Sequence, residues 1–432
     1  MTELKKKVAF KTLGCRLNQF ETSSMATHFR KSGYELVRFN ENADVYIVNT
    51  CTVTNQSDHK SRNIIRQAVK KGNNPLIVVT GCMAESGKEK LLLDNDISYV
   101  IGNNNKSQVL SVINAHFNGE IFSYDTSERK VFDFDISEKI FKTRGMVKIQ
   151  DGCNNFCTFC IIPFVRGREI SRPLSDILEE TKKLVTGGYN EIVVTGVNIG
   201  RYKYENYTFE DVIEKILEID GVFRVRISSM EPEGIGEKFI DLISHPKLCP
   251  HLHLCLQSGS NNILLKMRRM YNKKQYIKLI ERIRGINPLF NFTTDILVGF
   301  PGETEDDFKE TYDLINEIGF GHVHTFKYSL RDGTKAALMT DQVPEKIKNE
   351  RSRVIRELSE MNKVKYRKQF INKDQTVLIE KKGNDGYLKG YGEYYIPVIL
   401  EGNKNLTDSF QKVRILELKN DNEKNLLANF IK

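Results

Sequence analysis

Short apolar runs alternate with amphipathic stretches three times in the first third of this chain. The runs at 8–10, 45–48 and 76–80 are each followed by a stretch of helical periodicity, at 19–31, 58–70 and 85–93. Short β-rich runs that alternate with helices of about 10–15 residues are typical of a parallel sheet with crossover helices. The sequence therefore predicts an N-terminal parallel α/β sheet domain over residues 1–118.

A second alternating series starts at Gly145. Strands are predicted at 146–149, 191–195, 223–228, 251–256, 292–298 and 323–328, with helical stretches between them. Six β/α units predict a partial barrel, open on one side, over residues 145–368. The carboxyl ends of its strands are where function is expected.

The remaining segments follow neither pattern. Residues 119–144 mix acidic and aromatic side chains, and we interpret them as an interdomain linker. After a long charged helix at 344–368, apolar runs at 375–380, 394–400 and 410–418 alternate with turns that contain glycine. Strands without helices predict a small all-β barrel over residues 369–432. The predicted fold class is thus α/β, with a parallel α/β sheet domain, a partial (β/α)6 barrel and a C-terminal β-barrel.

Composition narrows the class of protein and its compartment. The chain has 432 residues, of which 40% are hydrophobic and 28% charged, as in ordinary globular proteins. No apolar run approaches the roughly 20 residues that span a bilayer, and the N-terminus does not resemble a signal peptide. We therefore expect a cytoplasmic protein with no membrane partner. In that compartment the eight cysteines are expected to serve metal binding or catalysis instead of disulfides.

The most specific motif is the segment QDGCNNFCTFC, which places Cys153, Cys157 and Cys160 directly after the first strand of the predicted barrel. Thiolates are soft ligands that suit zinc or iron–sulfur clusters. Structural zinc sites need four ligands, and 4Fe-4S clusters usually take four cysteines. Three cysteines leave one iron with an open coordination position for a substrate. A zinc knuckle with a distant fourth ligand is the alternative.

This motif resembles the radical S-adenosylmethionine superfamily. There the open iron binds S-adenosylmethionine, and an electron from the cluster cleaves it to methionine and a 5′-deoxyadenosyl radical. The resemblance implies cofactor contacts at the ends of the barrel strands. The candidate cofactor-binding residues are Phe159, Thr195, Gly196, Asn198, Ser229, Glu231, Gln257 and Asp295. Gly299 and Glu303 are open to two interpretations, as cofactor contacts or as a strand-to-helix turn with acidic residues at the helix N-terminus.

A second set, Cys15, Cys51 and Cys82, follows the three N-terminal apolar runs. Because ligands in open α/β sheets bind at the carboxyl ends of the strands, these cysteines are expected to converge there. Taken singly, each is a buried structural cysteine. Three cysteines in equivalent positions of three β/α units indicate a shared metal.

Both cysteine sets together closely resemble the methylthiotransferases over essentially the whole chain. The resemblance implies a second, auxiliary 4Fe-4S cluster on Cys15, Cys51 and Cys82, and it identifies the C-terminal barrel as a TRAM domain. It also implies that one S-adenosylmethionine methylates a sulfur on the auxiliary cluster, while a second yields the radical that activates carbon-2 of a modified adenine. Asn18 and Asn49 are expected either to donate hydrogen bonds to that cluster or to be turn residues.

The segments KTLGCRLNQFETSSM and VNTCTVTNQSDHKSR are most similar to the MtaB branch, whose members act on N6-threonylcarbamoyladenosine next to the tRNA anticodon. The implied partners are a tRNA anticodon stem-loop and an electron donor such as flavodoxin or ferredoxin. Another tRNA adenosine or a ribosomal protein is the alternative substrate. A non-catalytic, zinc-stabilised RNA-binding protein is the alternative outside this chemistry. The loop GYGEYYIPV departs from the Thr-Glu-Asn that the family usually has in the TRAM domain.

Positive charge is concentrated at 266–284, which holds eight Lys or Arg residues and only Glu281 as an acid. Phosphate neutralisation dominates nucleic-acid affinity, and aromatic side chains such as Tyr271, Tyr276 and Tyr366 can stack on bases. A solvated helix face is the alternative. The predicted RNA-binding residues are Lys266, Arg268, Arg269, Lys273 and Lys274.

His251, His253 and Cys255 alternate along one predicted strand, and Cys249 stands just before them. Alternation places the three side chains on one face of the strand. We interpret this face as the lining of the barrel interior, polar because it holds a polar cofactor. A zinc site is the alternative interpretation.

Overall fold

The computed structural model describes residues 5–71, 74–124, 129–134 and 143–431. It forms two compact units. The first contains Met1–Phe141, Gln150–Asn154 and Cys160–Arg172, and the second contains Lys142–Ile149, Asn155–Phe159 and Pro173–Lys432. Residues 125–128 and 135–142 of the predicted linker lie outside the described residues. The domain boundaries expected from the sequence therefore stay a prediction.

The first unit is built on a five-stranded, wholly parallel sheet in the order β2-β1-β3-β4-β5. This confirms the predicted parallel α/β fold and adds two short edge strands, β2 and β5. Its elements are β1 (Lys7–Thr12), α1 (Arg16–Lys31), β2 (Glu35–Val37), β3 (Val45–Thr50), α2 (Asn55–Val69), β4 (Leu76–Gly81), α3 (Cys82–Ser86), α4 (Lys88–Leu92), β5 (Tyr99–Ile101) and α5 (Val109–Asn118).

The next segments of the chain belong alternately to the second and to the first unit. Strand β6 (Gly145–Lys148) belongs to the second unit. A two-residue hairpin of β7 (Gln150–Asp151) and β8 (Ile170–Ser171), with the short helix α6 (Ile162–Val165) between its strands, belongs to the first. The loop that carries the second cysteine set therefore has residues in both units.

The second unit contains the predicted partial barrel. Its parallel strands run in sequence order, β6-β9-β12 and then β13-β14-β15-β16. Only Ser228 separates β12 from β13, so these two are the third of six strands, as predicted. The strands are β9 (Glu191–Thr195), β10 (Lys203–Tyr204), β11 (Tyr207–Thr208), β12 (Arg224–Ile227), β13 (Ser229–Met230), β14 (His251–Leu254), β15 (Asn291–Val298) and β16 (His322–Lys327). The helices are α7 (Leu174–Thr186), α8 (Phe209–Leu217), α9 (Glu237–Leu242), α10 (Asn261–Lys266), α11 (Lys273–Ile286), α12 (Glu305–Ile318) and α13 (Glu345–Lys368).

The chain ends in a closed five-stranded barrel, in the order β17-β18-β19-β21-β20. Tyr366 and Phe370, at the end of α13, pack into its apolar core. The all-β prediction is confirmed, although two of the strands were not among the three predicted runs. The strands are β17 (Asp374–Lys382), β18 (Leu388–Tyr391), β19 (Pro397–Leu400), β20 (Phe410–Leu418) and β21 (Leu426–Phe430).

Residues 392–396 form a loop, although a strand was predicted from 394, because Tyr395 has a left-handed backbone (φ 59°). Its ring lies 4.6 Å from the Arg226 guanidinium and stacks on Tyr391 at 4.9 Å. Arg144 lies 4.8 Å from the Tyr391 ring. These two rings of the GYGEYYIPV segment thus pack against arginines of the barrel, and these contacts account for the positions of both rings.

A buried carboxylate holds those arginines. Glu191, the first residue of β9, accepts hydrogen bonds from Arg224 Nε (2.6 Å) and Arg226 Nε (2.7 Å). Arg144 Nε lies 3.2 Å from the same carboxylate. Burial opposes ionisation, but the three guanidinium groups hold the pKa of Glu191 well below its usual range. Each guanidinium thus contacts a carboxylate, and Arg144 also pairs with Glu380. Arg224 joins the two barrels by donating to the carbonyls of Thr376 and Tyr391.

Within the described ranges, no helix combines the length and the apolar character that crossing a bilayer requires.

Candidate metal centres

The loops that carry the N-terminal cysteines meet at one edge of the first sheet. Cys15 directly precedes α1, Cys51 follows β3, and Cys82 begins α3. Strands β1, β3 and β4 are adjacent and parallel, so all three cysteines stand at the same, carboxyl, edge. This is the edge at which open α/β sheets bind ligands.

Two glycines allow these loops to approach each other. A Cβ atom on Gly14 would lie 2.9 Å from the Sγ atom of Cys51, and one on Gly81 would lie 2.4 Å from the carbonyl oxygen of Thr50. Both glycines also have left-handed backbones, with φ of 91° and 96°. A side chain is therefore excluded at both positions by space and by conformation. The two Gly-Cys pairs of the sequence are what lets the loops pack closely.

The three thiols lie close enough to affect one another's ionisation. Burial raises the pKa of Cys51, and the neighbouring Cys15 raises it further. Burial also raises the pKa of Cys82 to about 11, against the nearby positive charges of Arg166 and Lys106. Such a thiol keeps its proton unless a metal replaces it, and metal binding requires the thiolate. Three soft ligands gathered in this way fit an iron–sulfur cluster.

A buried ion network lies beside these cysteines. Arg166 Nη1 is 3.0 Å from Glu21 Oε1 and 3.0 Å from Asp151 Oδ2. Lys106 Nζ is 2.5 Å from the other oxygen of Glu21. Burial opposes its ionisation, but Glu21 and Asp151 hold the pKa of Arg166 well above its usual value. Two cations and two anions balance, so every buried charge has a partner.

This network connects the two cysteine-bearing regions of the first unit. Arg166 Nη2 donates a 2.7 Å bond to Asn18 Oδ1, next to the Cys15 loop. Asp151, two residues before Cys153, also accepts a 2.7 Å bond from the Gly152 N–H. Sequence reasoning missed the four charged residues because charged residues far apart in a chain look like surface residues. The charge of Glu21, within the buried stretch of α1, was the one available signal.

Asn18 and Asn49 hold the loops themselves. Asn18 Nδ2 donates to the carbonyl oxygens of Leu13 and Thr50, each at 2.9 Å. Asn49 Nδ2 donates to the Asn18 carbonyl and to Thr22 Oγ1, each at 3.0 Å. Each amide nitrogen thus has both of its N–H groups engaged. Asn18 lies in α1 and Asn49 in β3, so neither is the turn residue that was the alternative prediction, and the donation to a cluster stays a prediction.

The second cysteine loop is fixed tightly at its start. The Cys153 N–H donates to the Gly167 carbonyl at 3.2 Å. A Cβ atom on Gly152, whose φ is 70°, would lie 2.0 Å from the Arg168 carbonyl oxygen. The hairpin of β7 and β8 therefore requires glycine directly before Cys153.

The middle of this loop is held within the second unit. Arg269 Nη1 donates to Cys157 Sγ at 3.2 Å, and the same guanidinium pairs with Glu231 and Tyr271. Thr158 Oγ1 donates to the Lys266 carbonyl at 2.9 Å. These contacts fix the position of the Cys157 sulfur within the loop.

Most of the other predicted cofactor residues lie at the ends of barrel strands or just after them. Thr195 ends β9, Gly196 and Asn198 follow it, Ser229 begins β13, and Gln257 follows β14 with a left-handed backbone (φ 69°). Phe159 packs edge-on against Phe300. Glu231 pairs with Arg269. No contact in the described residues tests these assignments, so they stay predictions.

The sequence predicted Asp295 at the end of a strand, but it lies in the middle of β15. Glu303 stabilises the turn that follows β15. It accepts from the Gly299 N–H and from Arg351 Nη1, each at 2.7 Å. Burial raises its pKa to about 7, against these two donors. A Cβ atom on Gly299 would lie 2.3 Å from Lys348 Cγ. The turn interpretation of this segment therefore accounts for both residues.

The predicted RNA-binding stretch divides into buried and exposed side chains. Arg269 was predicted to contact phosphates, but its side chain is only 3% exposed and is paired, so it is removed from the set. Tyr271 and Tyr276 are also buried, with hydroxyls bonded to strand carbonyls, and so cannot stack on bases. Arg268 and Lys274 are exposed, without an ion pair to any other described residue.

Of the remaining residues considered for RNA contact, two are partly exposed and one is buried. Lys266 is partly exposed, with its ammonium 3.2 Å from the Gly302 carbonyl and 4.0 Å from Asp341. Lys273 is partly exposed at the start of α11. Tyr366 is buried, and its hydroxyl donates to the Leu289 carbonyl.

Two neighbouring strands, β14 and β15, present polar side chains to the barrel interior. His253 Nε2 lies 3.2 Å from Asp295 Oδ1, and its Nδ1 lies 3.0 Å from Thr293 Oγ1. Cys255 stands beside Asp295, close enough for one ligand atom from each of His253, Cys255 and Asp295 to lie within 4.8 Å of the others. His251 bonds Thr293 and packs on Tyr395. Cys249 is buried near Arg226.

Comparisons with known proteins agree with this arrangement. A family model described as an uncharacterized protein family, UPF0004, matches residues 7–102, which include Cys15, Cys51 and Cys82. A model of the radical SAM superfamily matches residues 147–315, which include the second cysteine set. A solved structure of the radical S-adenosylmethionine methyltransferase TsrM from Kitasatospora setae has a similar fold. It aligns with a TM-score of 0.57 and 15% identity, covering 77% of each chain. The fold and the cysteine motifs thus define a radical S-adenosylmethionine protein.

Sequence relatives are more specific. The threonylcarbamoyladenosine tRNA methylthiotransferase MtaB of Bacillus subtilis is 37% identical, over 95% of this chain and 94% of that protein. The MtaB protein of Aquifex aeolicus is 36% identical, over 94% and 96%. A tRNA-2-methylthio-N(6)-dimethylallyladenosine synthase of Clostridium botulinum is 35% identical, over 94% and 93%. The chain belongs to the radical S-adenosylmethionine tRNA methylthiotransferase family, as the sequence motifs predicted.

Iron analysis tests whether the two cysteine sets act separately. The variant with Cys153, Cys157 and Cys160 changed to Ala should lose about half of its iron, because four of eight irons depend on one three-cysteine set. The variant with Cys15, Cys51 and Cys82 changed to Ala should lose the other half. Iron and sulfide are measured after anaerobic purification, with Cys249→Ala as the control. Loss of all iron, or of none, in either variant contradicts two independent sites, and zinc in place of iron supports the zinc-stabilised alternative.

The buried network can be tested through Arg166→Met. Removing one partner of a buried ion pair typically costs about 3–5 kcal/mol, because the other charges stay buried without compensation. Hydrogen exchange should therefore accelerate in α1 and in residues 150–154, while the C-terminal barrel stays protected. Arg62→Met, which changes an exposed arginine of α2, is the matched control. Unchanged exchange in both segments would show that the network does not stabilise this unit.

Proposed function

We propose that this protein transfers a methylthio group to carbon-2 of N6-threonylcarbamoyladenosine in tRNA. The observation that carries the proposal is the pair of three-cysteine sets, one at the carboxyl edge of the first sheet and one after the first barrel strand. When bound, two 4Fe-4S clusters and S-adenosylmethionine supply the methyl-transfer and radical chemistry that an unactivated aromatic C–H requires. No side chain is assigned as a general acid or base.

The chain's own residues supply ligands and orientation. Cys15, Cys51 and Cys82 hold the auxiliary cluster. Cys153, Cys157 and Cys160 hold the other, and three protein ligands leave one iron open for S-adenosylmethionine. Arg269 positions Cys157 through its hydrogen bond to the sulfur. A reductant such as flavodoxin or ferredoxin and a cytoplasmic location remain predictions from the sequence.

The choice of nucleoside needs an observation beyond overall identity. Relatives named for threonylcarbamoyladenosine and for dimethylallyladenosine match this chain at 37% and 35% identity, which does not separate them. The dimethylallyl group is apolar, whereas the threonylcarbamoyl group carries a carboxylate, a hydroxyl and a carbamoyl unit. The inner wall formed by His253, Thr293 and Asp295 is polar. A polar wall supports the threonylcarbamoyl substrate, because a polar substituent can exchange further hydrogen bonds with these side chains, whereas an apolar group cannot.

Mass spectrometry of tRNA nucleosides tests the proposal in the source cell. Deleting the gene should abolish 2-methylthio-N6-threonylcarbamoyladenosine and leave its precursor without the methylthio group. The wild-type gene should restore the product, and a Cys82→Ala gene should not. If the deletion removes only the methylthio derivative of dimethylallyladenosine, the second candidate substrate is correct. If no tRNA nucleoside changes, the assignment to tRNA is wrong.

We further propose that Arg268 and Lys274 contact the tRNA backbone, because both are exposed cations without an ion pair among the described residues. Each phosphate contact adds roughly 0.7–0.9 to the slope of log affinity against log salt. The double change Arg268→Ala, Lys274→Ala should therefore weaken tRNA binding and flatten the slope by about 1.5.

The control for this experiment is Lys309→Ala. Lys309 is an exposed lysine of α12 that is already paired with Asp313 at 2.5 Å. Its loss should leave the salt slope unchanged. Equal slopes for the double variant and the wild-type protein would show that the exposed part of 266–274 is a solvated face.

A further inference from the structure

The inner wall of the barrel continues beyond His253 onto its last strand. Strands β15 and β16 pair in register, with Thr293 opposite His322, Asp295 opposite His324 and Leu297 opposite Phe326. Alternate residues of a strand share one face, so these six side chains form three rows of one surface. The rows run from the amino end of the strands toward the carboxyl ends.

The histidines of this wall are in contact with one another. The rings of His322 and His324 lie 4.4 Å apart, edge to face, and those of His253 and His324 lie 5.6 Å apart. His324 and Phe326 are exposed, and β16 is the last strand of the sheet, at the open side of the barrel. A ligand entering from that side meets these two side chains first.

The wall also lies close to the radical-cluster loop. The Cys255 carbonyl accepts a hydrogen bond from Tyr271, whose hydroxyl also accepts one from Arg269, the donor to Cys157 Sγ. The Cys255 thiol lies within 4.8 Å of a carboxylate oxygen of Asp295. Asp295 is in turn bonded to His253. A chain of polar contacts thus leads from a predicted cluster ligand to the imidazoles of β16.

Positive charge surrounds the far end of this surface. Burial, and after it the neighbouring His324, Lys363, Arg367 and His253, together lower the pKa of His322 to about 3. The acid of the wall, Asp295, is already engaged by His253. An anion beside His322 would be attracted by Lys363 and Arg367 and would favour the protonated form of this imidazole.

We propose that His322 and His324, with Lys363 behind them, form the subsite that receives the carboxylate of the threonylcarbamoyl substituent. The inference rests on the proposed function and names the residues that give it specificity. Imidazole N–H groups are suitable donors to a carboxylate, and the Lys363 ammonium, which also pairs with Glu360, adds positive charge behind them. Phe326, one row nearer the carboxyl ends, offers its ring as an apolar surface for the adenine.

The experiment compares two substrates that differ only at the threonyl carboxylate, which is either free and charged or a neutral methyl ester. Anticodon stem-loop RNAs carry either N6-threonylcarbamoyladenosine or its threonyl methyl ester, and their dissociation constants are measured with the cluster-loaded protein without reductant. The wild-type protein should bind the acid at least about tenfold more tightly, the usual effect of losing a hydrogen bond to a charged group. This comparison needs no mutation.

The His324→Ala variant completes a double-mutant cycle. It should bind the acid about tenfold more weakly and no longer distinguish acid from ester, because the group that senses the charge is gone. Thr325→Val is the matched control, since Thr325 is the next residue of β16, on the opposite face of the strand. It should retain the full preference for the acid.

Two results would overturn the inference. Equal binding of acid and ester by the wild-type protein would mean that no group recognises the carboxylate. An undiminished preference in both His324→Ala and the corresponding His322→Ala variant would place the recognition elsewhere. Failure of the proposed function looks different. In that case the wild-type protein, once reduced and supplied with S-adenosylmethionine, forms no methylthio product on the acid substrate.

Discussion

The buried guanidinium of Arg166 is the interaction on which the first unit's site depends. It binds Glu21 of α1, Asp151 before Cys153 and the side chain of Asn18 between the N-terminal loops. A charge taken out of water is tolerated only when its partners are fixed, so the network couples the position of each loop to the others. The sheet edge brings the cysteines together, and this network holds the loops that carry them.

The second unit also depends on a buried ion cluster, which lies between its partial barrel and its C-terminal barrel. Glu191 gathers Arg144, Arg224 and Arg226, and these in turn hold Tyr391 and Tyr395 of the C-terminal barrel. Ion pairs and ring contacts of this kind fix orientation more than they add stability. The consequence is that a loop which departs from its family's usual sequence is a docking element between two barrels of one unit.

Much of the fold could be predicted because hydrophobic periodicity is a local property. The β/α units and the six barrel strands follow from the alternation of apolar runs and amphipathic stretches. The short strands β2 and β18 were missed, since three or four residues carry too little pattern. The left-handed turn at Tyr395 was missed because nothing in its identity announces a positive φ.

The candidate site was predictable where chemistry lies in residue type and spacing, as it does for the cysteines. It was not predictable for residues whose role depends on the direction in which the side chain points. Arg268 and Arg269 are neighbours of equal charge, yet one is exposed and the other points inward to Cys157. Backbone conformation separates them, for Arg268 has a φ of 60°. Glu21, Lys106, Asp151 and Arg166 form a network only because the fold brings distant positions together, and a linear reading treats each of them as a surface charge.

The central claim is that each cysteine set holds its own iron–sulfur cluster. Anomalous diffraction at the iron absorption edge, from crystals grown without oxygen, tests it most directly. The account predicts two iron peaks, one bounded by Cys15, Cys51 and Cys82 and the other by Cys153, Cys157 and Cys160. A single iron peak, or a signal at the zinc edge in place of iron at the N-terminal set, would contradict it.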